Sequence, residues 1–258
     1  MILEQYITEW SQQASWRSSK FIEQDLIVCN ALVPIYSDTI LVEHLVFRNC
    51  TALSRLSLKP QLKYSEDINL VQVKANPIKK AISYLRNALA WLGKVMAKQK
   101  RHNNTLVSKV QPTDMDEEEI NCKEYFSVFR KVRVPFAVNS SWFKDTCEVL
   151  TYKLSELTWT KLKAVYQPKK GRELFDLWKT ISIYPELNKG KVTEIYKRYL
   201  GFTVSHPLTY MEFVLNRTGS YILDGHGNNA WATDGVYSSD VAWEKMKVEL
   251  NERLNTEV

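Results

Sequence analysis

FRNCTALSRL (47–56) and, a few residues on, LKYSEDINLVQV (62–73) hold the pattern on which the fold turns. In the second stretch Ile68, Leu70 and Val73 stand against polar neighbours. That alternation and the β-branched residues predict a strand over Lys63–Val73. In the first, TALSRLSL predicts a helix from about Thr51, whose hydroxyl is available as its N-cap. Asp67 and Asn69 are two apart, so on a strand they share a face. Such a pair at the edge of a sheet suits a hard cation, because Mg²⁺ prefers oxygen ligands. The helix start offers free backbone N–H groups to a phosphate. Glu119, on a neighbouring strand, would add a carboxylate as third oxygen ligand, and Lys161 would reach a triphosphate from a later helix. Taken alone, the pair is as compatible with a solvated strand face.

Outward from this core, KFIEQDLIVCNALVPIY (20–36) spaces Phe21, Leu26, Ile27, Leu32 and Val33 for a helix. TILVEHLVF (39–47) is strand-like near its end. Asn76 and Pro77 open the clearest helix, carried by Ile78, Ile82, Leu85, Leu89 and Leu92 and stopped by Gly93. A polar basic stretch (94–104) leads to two strands near 106–111 and 119–129, with DMDEEE (114–119) between them as a solvated turn, apart from Glu119. After Leu150 the pattern turns helical: Leu154, Leu157, Lys161 and Ala164 on one stretch, then PKKGRELFDLWKTI (168–181) and GKVTEIYKRYLG (190–201). DGHGNNA (224–230) reads as a loop, and Asp240 to Leu254 as a charged helix. The chain thus divides into an α/β part, 1–150, and a mainly helical part, 151–258.

The chain has 258 residues, 45% hydrophobic and 25% charged, with only eight Gly and eight Pro. This is globular composition with long regular elements, and it excludes collagen-like and low-complexity classes. No apolar run reaches the roughly 18 residues of a membrane span, and no signal peptide is evident. Net charge is +6, which permits a nucleic-acid partner. No helix-turn-helix or basic stripe is visible. Cys29, Cys50, Cys122 and Cys147 lack zinc spacing and suit buried thiols in a reducing cytoplasm.

The two opening stretches resemble the first motif of the AbiEii/AbiGii-type nucleotidyltransferase toxins, of the polymerase-β-like superfamily. That pattern runs F-[RK]-G-G-T-A-L and then Y-S-E-D-I-D-L. The resemblance continues in EINCKEYFSVF (119–129), PFAVNSSWF (135–143), LSELTWTKLKAVYQ (154–167) and KKGRELFDLW (169–178). It covers residues 20–180 and implies a nucleotidyltransferase fold: a mixed α/β sheet flanked by helices, with a mainly helical C-terminal domain. It also implies metal ligation by Asp67, Asn69 and Glu119, with Asp67, Glu119 and Lys161 in catalysis. Nucleotide binding falls to Arg48, Thr51, Ser65, Lys161, Arg172 and Asp176, with Glu173 beside them in place of the family's Asp. The implied reaction is in-line transfer from a nucleoside triphosphate to RNA, such as the acceptor end of tRNA, with Mg²⁺ or Mn²⁺. The implied setting is a type IV toxin–antitoxin system in abortive infection, with an AbiEi-like antitoxin as genetic partner.

The sequence departs from the pattern at the Gly-Gly pair, here Asn49-Cys50, and at the second Asp, here Asn69. Two side chains replace glycines that permit unusual backbone angles and close approach of phosphate. One ligand charge is lost at position 69. Two functions therefore stand side by side: an active transferase, and a relative that holds nucleotide or RNA without turnover. The plainer readings of neighbouring residues are surface charge for Lys161 and Lys163, and an ordinary basic turn for Lys169, Lys170 and Arg172. The eight tryptophans, Trp142 and Trp178 included, read as packing residues.

Overall fold

The apolar run of residues 20–36 becomes α2 (Ser19–Ser37), a helix buried on nearly every side. Leu26, Leu32 and Ile35 are fully inaccessible to solvent. A helix enclosed on all sides belongs in an interior, and here Glu23, Gln24, Asp25 and Asn30 are buried along with its apolar residues. The computed structural model describes residues 2–14, 18–59, 61, 67–74, 77–100, 103–108, 118–123, 131–165, 171–195 and 239–251. Contacts divide the chain into two compact units, the first built on Met1–Tyr152 and the second beginning at Lys153.

In the first unit α1 (Glu4–Trp10) and α2 precede a short α3 (Leu41–His44), whose start is tied by Asp38. Then come β1 (Leu45–Arg48), α4 (Asn49–Leu56), β2 (Asp67–Gln72) and α5 (Lys79–Ala88). Gly93 ends the short 3₁₀ turn after α5 at φ +89°, a conformation that glycine adopts without penalty. Five more strands follow: β3 (Val95–Lys100), β4 (Asn103–Ser108), β5 (Glu118–Lys123), β6 (Lys131–Asn139) and β7 (Lys144–Tyr152). All seven form one mixed sheet in the order β3-β4-β5-β2-β1-β7-β6. β2 is antiparallel to β1 and parallel to β5, while β7 runs parallel to β1.

Several sequence expectations change. β2 is the central strand of the sheet, not an edge, and Asp67 sits at its first position. β3 occupies the stretch read as merely polar and basic, and β6 and β7 fill a region without expected elements. β6 is an edge strand that runs through Pro135, which is tolerated there because an edge leaves backbone donors unused. Asn76, the expected cap of α5, and most of the acidic run 114–119 lie outside the described residues. So do residues 62–66, the loop 224–230 and the ends of the last two expected helices.

A buried ion pair that the sequence did not announce ties α2 to α4. Arg55 donates Nη2 to Asp25 Oδ1 at 2.7 Å and Nη1 to Oδ2 at 3.1 Å. Trp10 Nε1 donates to the same carboxylate at 2.9 Å. These groups, with Cys29, Gln61 and Cys147, line a cavity of about 580 Å³. Burial pushes the Cys29 thiol up to about 12, against an opposing pull from Arg55. Burial and Asp145 push Cys147 up to about 12. At pH 8 both should react with a disulfide reagent about 10³-fold more slowly than in the urea-unfolded chain, in a Cys50→Ser/Cys122→Ser background. The unfolded thiols, near 9.0, ionise first. Stability should therefore be intact below pH 9 and fall as pH climbs toward 12. Fast labelling of the native protein at Cys29 would show that this thiol is not buried as described.

In the second unit α6 (Leu154–Val165), α7 (Gly171–Ile183), a helical stretch at 189–195 and α8 (Ser239–Met246) are described. A wider π turn (Lys247–Asn251) continues α8. α7 packs against both α6 and α8. Leu157, Trp159, Leu162, Leu174, Phe175 and Trp243 form its core, each at most 2% exposed. No described helix is long and apolar enough to cross a membrane.

Candidate active site

The first cluster forms where β1 ends and β2 begins. The register places Arg48 opposite Asn69, so Asp67 lies one pleat beyond, beside the start of α4. Thr51 is not the cap of α4. It lies inside the first turn, 1% exposed, and its Oγ1 donates to Asp67 Oδ1 at 3.5 Å. The residue before the helix, Arg48, has extended angles and makes no side-chain cap bond. Its guanidinium lies 5.7 Å from the centre of the Tyr152 ring, a cation–π distance. Tyr152 arrives on β7, whose Thr151 Oγ1 bonds the carbonyl of Phe47 at 2.8 Å.

The Asn49-Cys50 departure has a backbone answer. Asn49 has φ +69°, the left-handed conformation for which a glycine is ordinarily used. Asn is among the non-glycine residues that enter this region most readily. The turn is therefore kept with a side chain in place of the glycine, and half-exposed Cys50 follows it.

Position 119 of β5 pairs directly with Asp67 across a parallel ladder, and Asn121 pairs with Asn69. Neighbouring strands lie about 4.8 Å apart, so a residue more than fifty positions away is brought to the side of Asp67. Asp67 is half-buried and Asn69 9% exposed. Asp67 and Asn69 both offer oxygens, the donor type that Mg²⁺ and Ca²⁺ favour. Asn69 supplies a neutral amide in place of a carboxylate. Ser65 lies outside the described residues.

The second cluster lies within the second unit. Lys161 on α6 is 2% exposed. Its Nζ donates to Glu173 Oε2 at 2.7 Å and is paired with Asp176 Oδ2 at 2.9 Å. Glu173 and Asp176 are three apart on α7, hence on one face, and Asp176 is fully buried. The reading of Lys161 as a solvated helix charge is thus corrected: a buried ammonium needs such partners. Arg172 lies in the first turn of α7. Sequence reasoning named all three members of this cluster but gave no sign that they bind one another.

A family model described as "Nucleotidyl transferase AbiEii toxin, Type IV TA system" matches residues 31–212. No curated protein sequence matches. Among solved structures, MenT4, a nucleotidyltransferase toxin from Mycobacterium tuberculosis H37Rv, is similar over 99% of this chain and 89% of its own. The identity is 13% and the TM-score 0.61, a likeness of fold. An antigenic nucleotidyltransferase-like protein from Paracoccidioides brasiliensis aligns at 13% identity and a TM-score of 0.42, over 70% of this chain and 89% of its own. The family match takes in well over half of the sequence: this chain belongs to the AbiEii nucleotidyltransferase toxin family of type IV toxin–antitoxin systems.

Proposed function

We propose that the protein is a Mg²⁺-dependent nucleotidyltransferase that moves a nucleotide from a nucleoside triphosphate to an RNA acceptor, tRNA above all. The observation that carries this is the parallel β2–β5 register, which sets position 119 beside Asp67 at the head of α4. In this reading Asp67, Asn69 and Glu119 hold the metal, which supplies Lewis-acid neutralisation of the triphosphate. Arg48, Thr51 and Ser65 serve the phosphates, with Lys161, Arg172 and Asp176 as further nucleotide contacts. Glu119 takes the proton of the attacking hydroxyl. The setting is cytoplasmic, in abortive infection. The family implies an antitoxin as partner, and an AbiEi-like regulator encoded alongside fills that place without direct contact.

The test is to incubate the purified chain with α-labelled triphosphates, Mg²⁺ and total RNA. Label on RNA, lost on chelation, supports transfer. Asn69 favours a second reading, a member that binds nucleotide without turnover. Asn69→Asp discriminates the two. Restoring the missing charge should lower the Mg²⁺ concentration for half-maximal activity by about tenfold in an active enzyme. Transfer seen only in Asn69→Asp establishes the second reading.

A further inference from the structure

Residues 68–113 contain nine Lys or Arg and no Asp or Glu, in a chain whose net charge is only +6. The stripe not visible in the letters is made by the winding of α5. Lys79, Lys80, Ser83, Arg86 and Asn87 are all exposed, whereas Ala81 and Leu85 are buried. Steps of three and four place the exposed residues on one face, about 15 Å long. Trp91 follows at the C-terminal end of this face, 41% exposed, and exposed Lys94 comes three residues later.

Trp91 is the exception to the reading of tryptophans as core. Its ring meets that of Trp142 at 5.9 Å between centroids, tilted by 60°. Trp142 is in the β6–β7 turn, which is firmly held. Ser140 N donates to Phe143 O at 3.0 Å, Glu9 Oε1 accepts from Ser141 N at 2.9 Å, and Gln13 Nε2 donates to Asn139 O at 3.0 Å. The Trp142 indole thus stands on a turn held by hydrogen bonds, with the Trp91 ring against it. Lys144, next to this turn, is also exposed.

We propose that the outer face of α5 and the Trp91–Trp142 pair form a docking track for single-stranded RNA. The cations of α5 would lie along the phosphates, and Trp91 would stack a base. Cationic grooves with aromatic platforms are the general means of holding single strands. A protein partner fits less well, since protein interfaces are depleted in lysine. The inference rests on the reading of the acceptor as RNA, and gives that RNA a place outside the metal cluster.

The test measures anisotropy of fluorescein-labelled polyuridylate with the full-length chain over a range of salt concentrations. Trp91→Ala should weaken binding about tenfold or more, while Trp91→Phe keeps most of the affinity. Lys79→Ala/Lys80→Ala/Arg86→Ala should flatten the plot of log affinity against log salt by about two units. Lys191→Ala, which removes an exposed cation of the second unit, should bind polyuridylate as the parent does. Parent-like affinity in Trp91→Ala overturns the track, even if transfer is robust. Absence of polyuridylate binding at low salt overturns it too, and assigns the surface to a protein. If binding depends on Trp91 but transfer is never seen, the track stands and the catalytic reading falls.

Discussion

Asp67→Ala should abolish nucleotidyl transfer, by at least about 10²–10³-fold, with little change in stability. Asp67 is half-buried at the first position of β2, and the bond it accepts from Thr51 is long, 3.5 Å. At a half-buried strand end, truncating the side chain opens no cavity in the core. Preorganised charge at a phosphoryl centre contributes several kcal/mol of barrier lowering, and this carboxylate is the one with position 119 directly beside it. Asp67→Asn, nearly identical in shape, should fall almost as far, which separates loss of charge from loss of volume. Rates of label transfer and a urea titration on the same preparations decide the matter. Retained transfer in Asp67→Ala would move the metal site elsewhere.

Lys161→Ala should destabilise the second unit by about 3–5 kcal/mol, because it leaves the fully buried Asp176 carboxylate without its cation. Replacing the whole group should be far milder: Lys161→Met with Glu173→Gln and Asp176→Leu should regain most of that loss, since well-packed apolar groups often equal a buried ion pair. The repacked protein also distinguishes two roles. If Lys161 acts on the nucleotide, the triple variant folds but transfers label poorly. If the cluster only joins α6 to α7, transfer survives. Urea midpoints read the first effect and label transfer the second. A cost below about 1 kcal/mol for Lys161→Ala would contradict the burial of the pair.

The sequence carried the fold where periodicity was strong and unshared. α2, α5, α6 and α7 have apolar residues at helical spacing, and β2 has alternation flanked by polar residues. β6 and β7 escaped because KVRVPFAVN contains a proline and KDTCEVLTY begins with four residues that do not alternate. β3 was hidden by lysines, which an edge strand tolerates because one side meets water. The spacing of Asp67 and Asn69 suggested a cation pair, but only the motif resemblance set it apart from a solvated strand face. The pairing of Asp67 with position 119 is a long-range register, and nothing local encodes it. Asp25 and Arg55 were missed for the same reason: they are 30 positions apart, and the partner of each lies on another helix. The left-handed turn at Asn49 shows the opposite case, in which a motif looks broken in letters while its backbone geometry is kept.

That β5 is separated from β2 by two other strands in the chain has a bearing on synthesis. A growing polypeptide that has delivered β1 and β2 still lacks the strand that stands beside Asp67, and several connections must close first. Harmful chemistry of the kind proposed would therefore stay dormant on the ribosome until that segment emerges and docks. Fragments released early would be born without it.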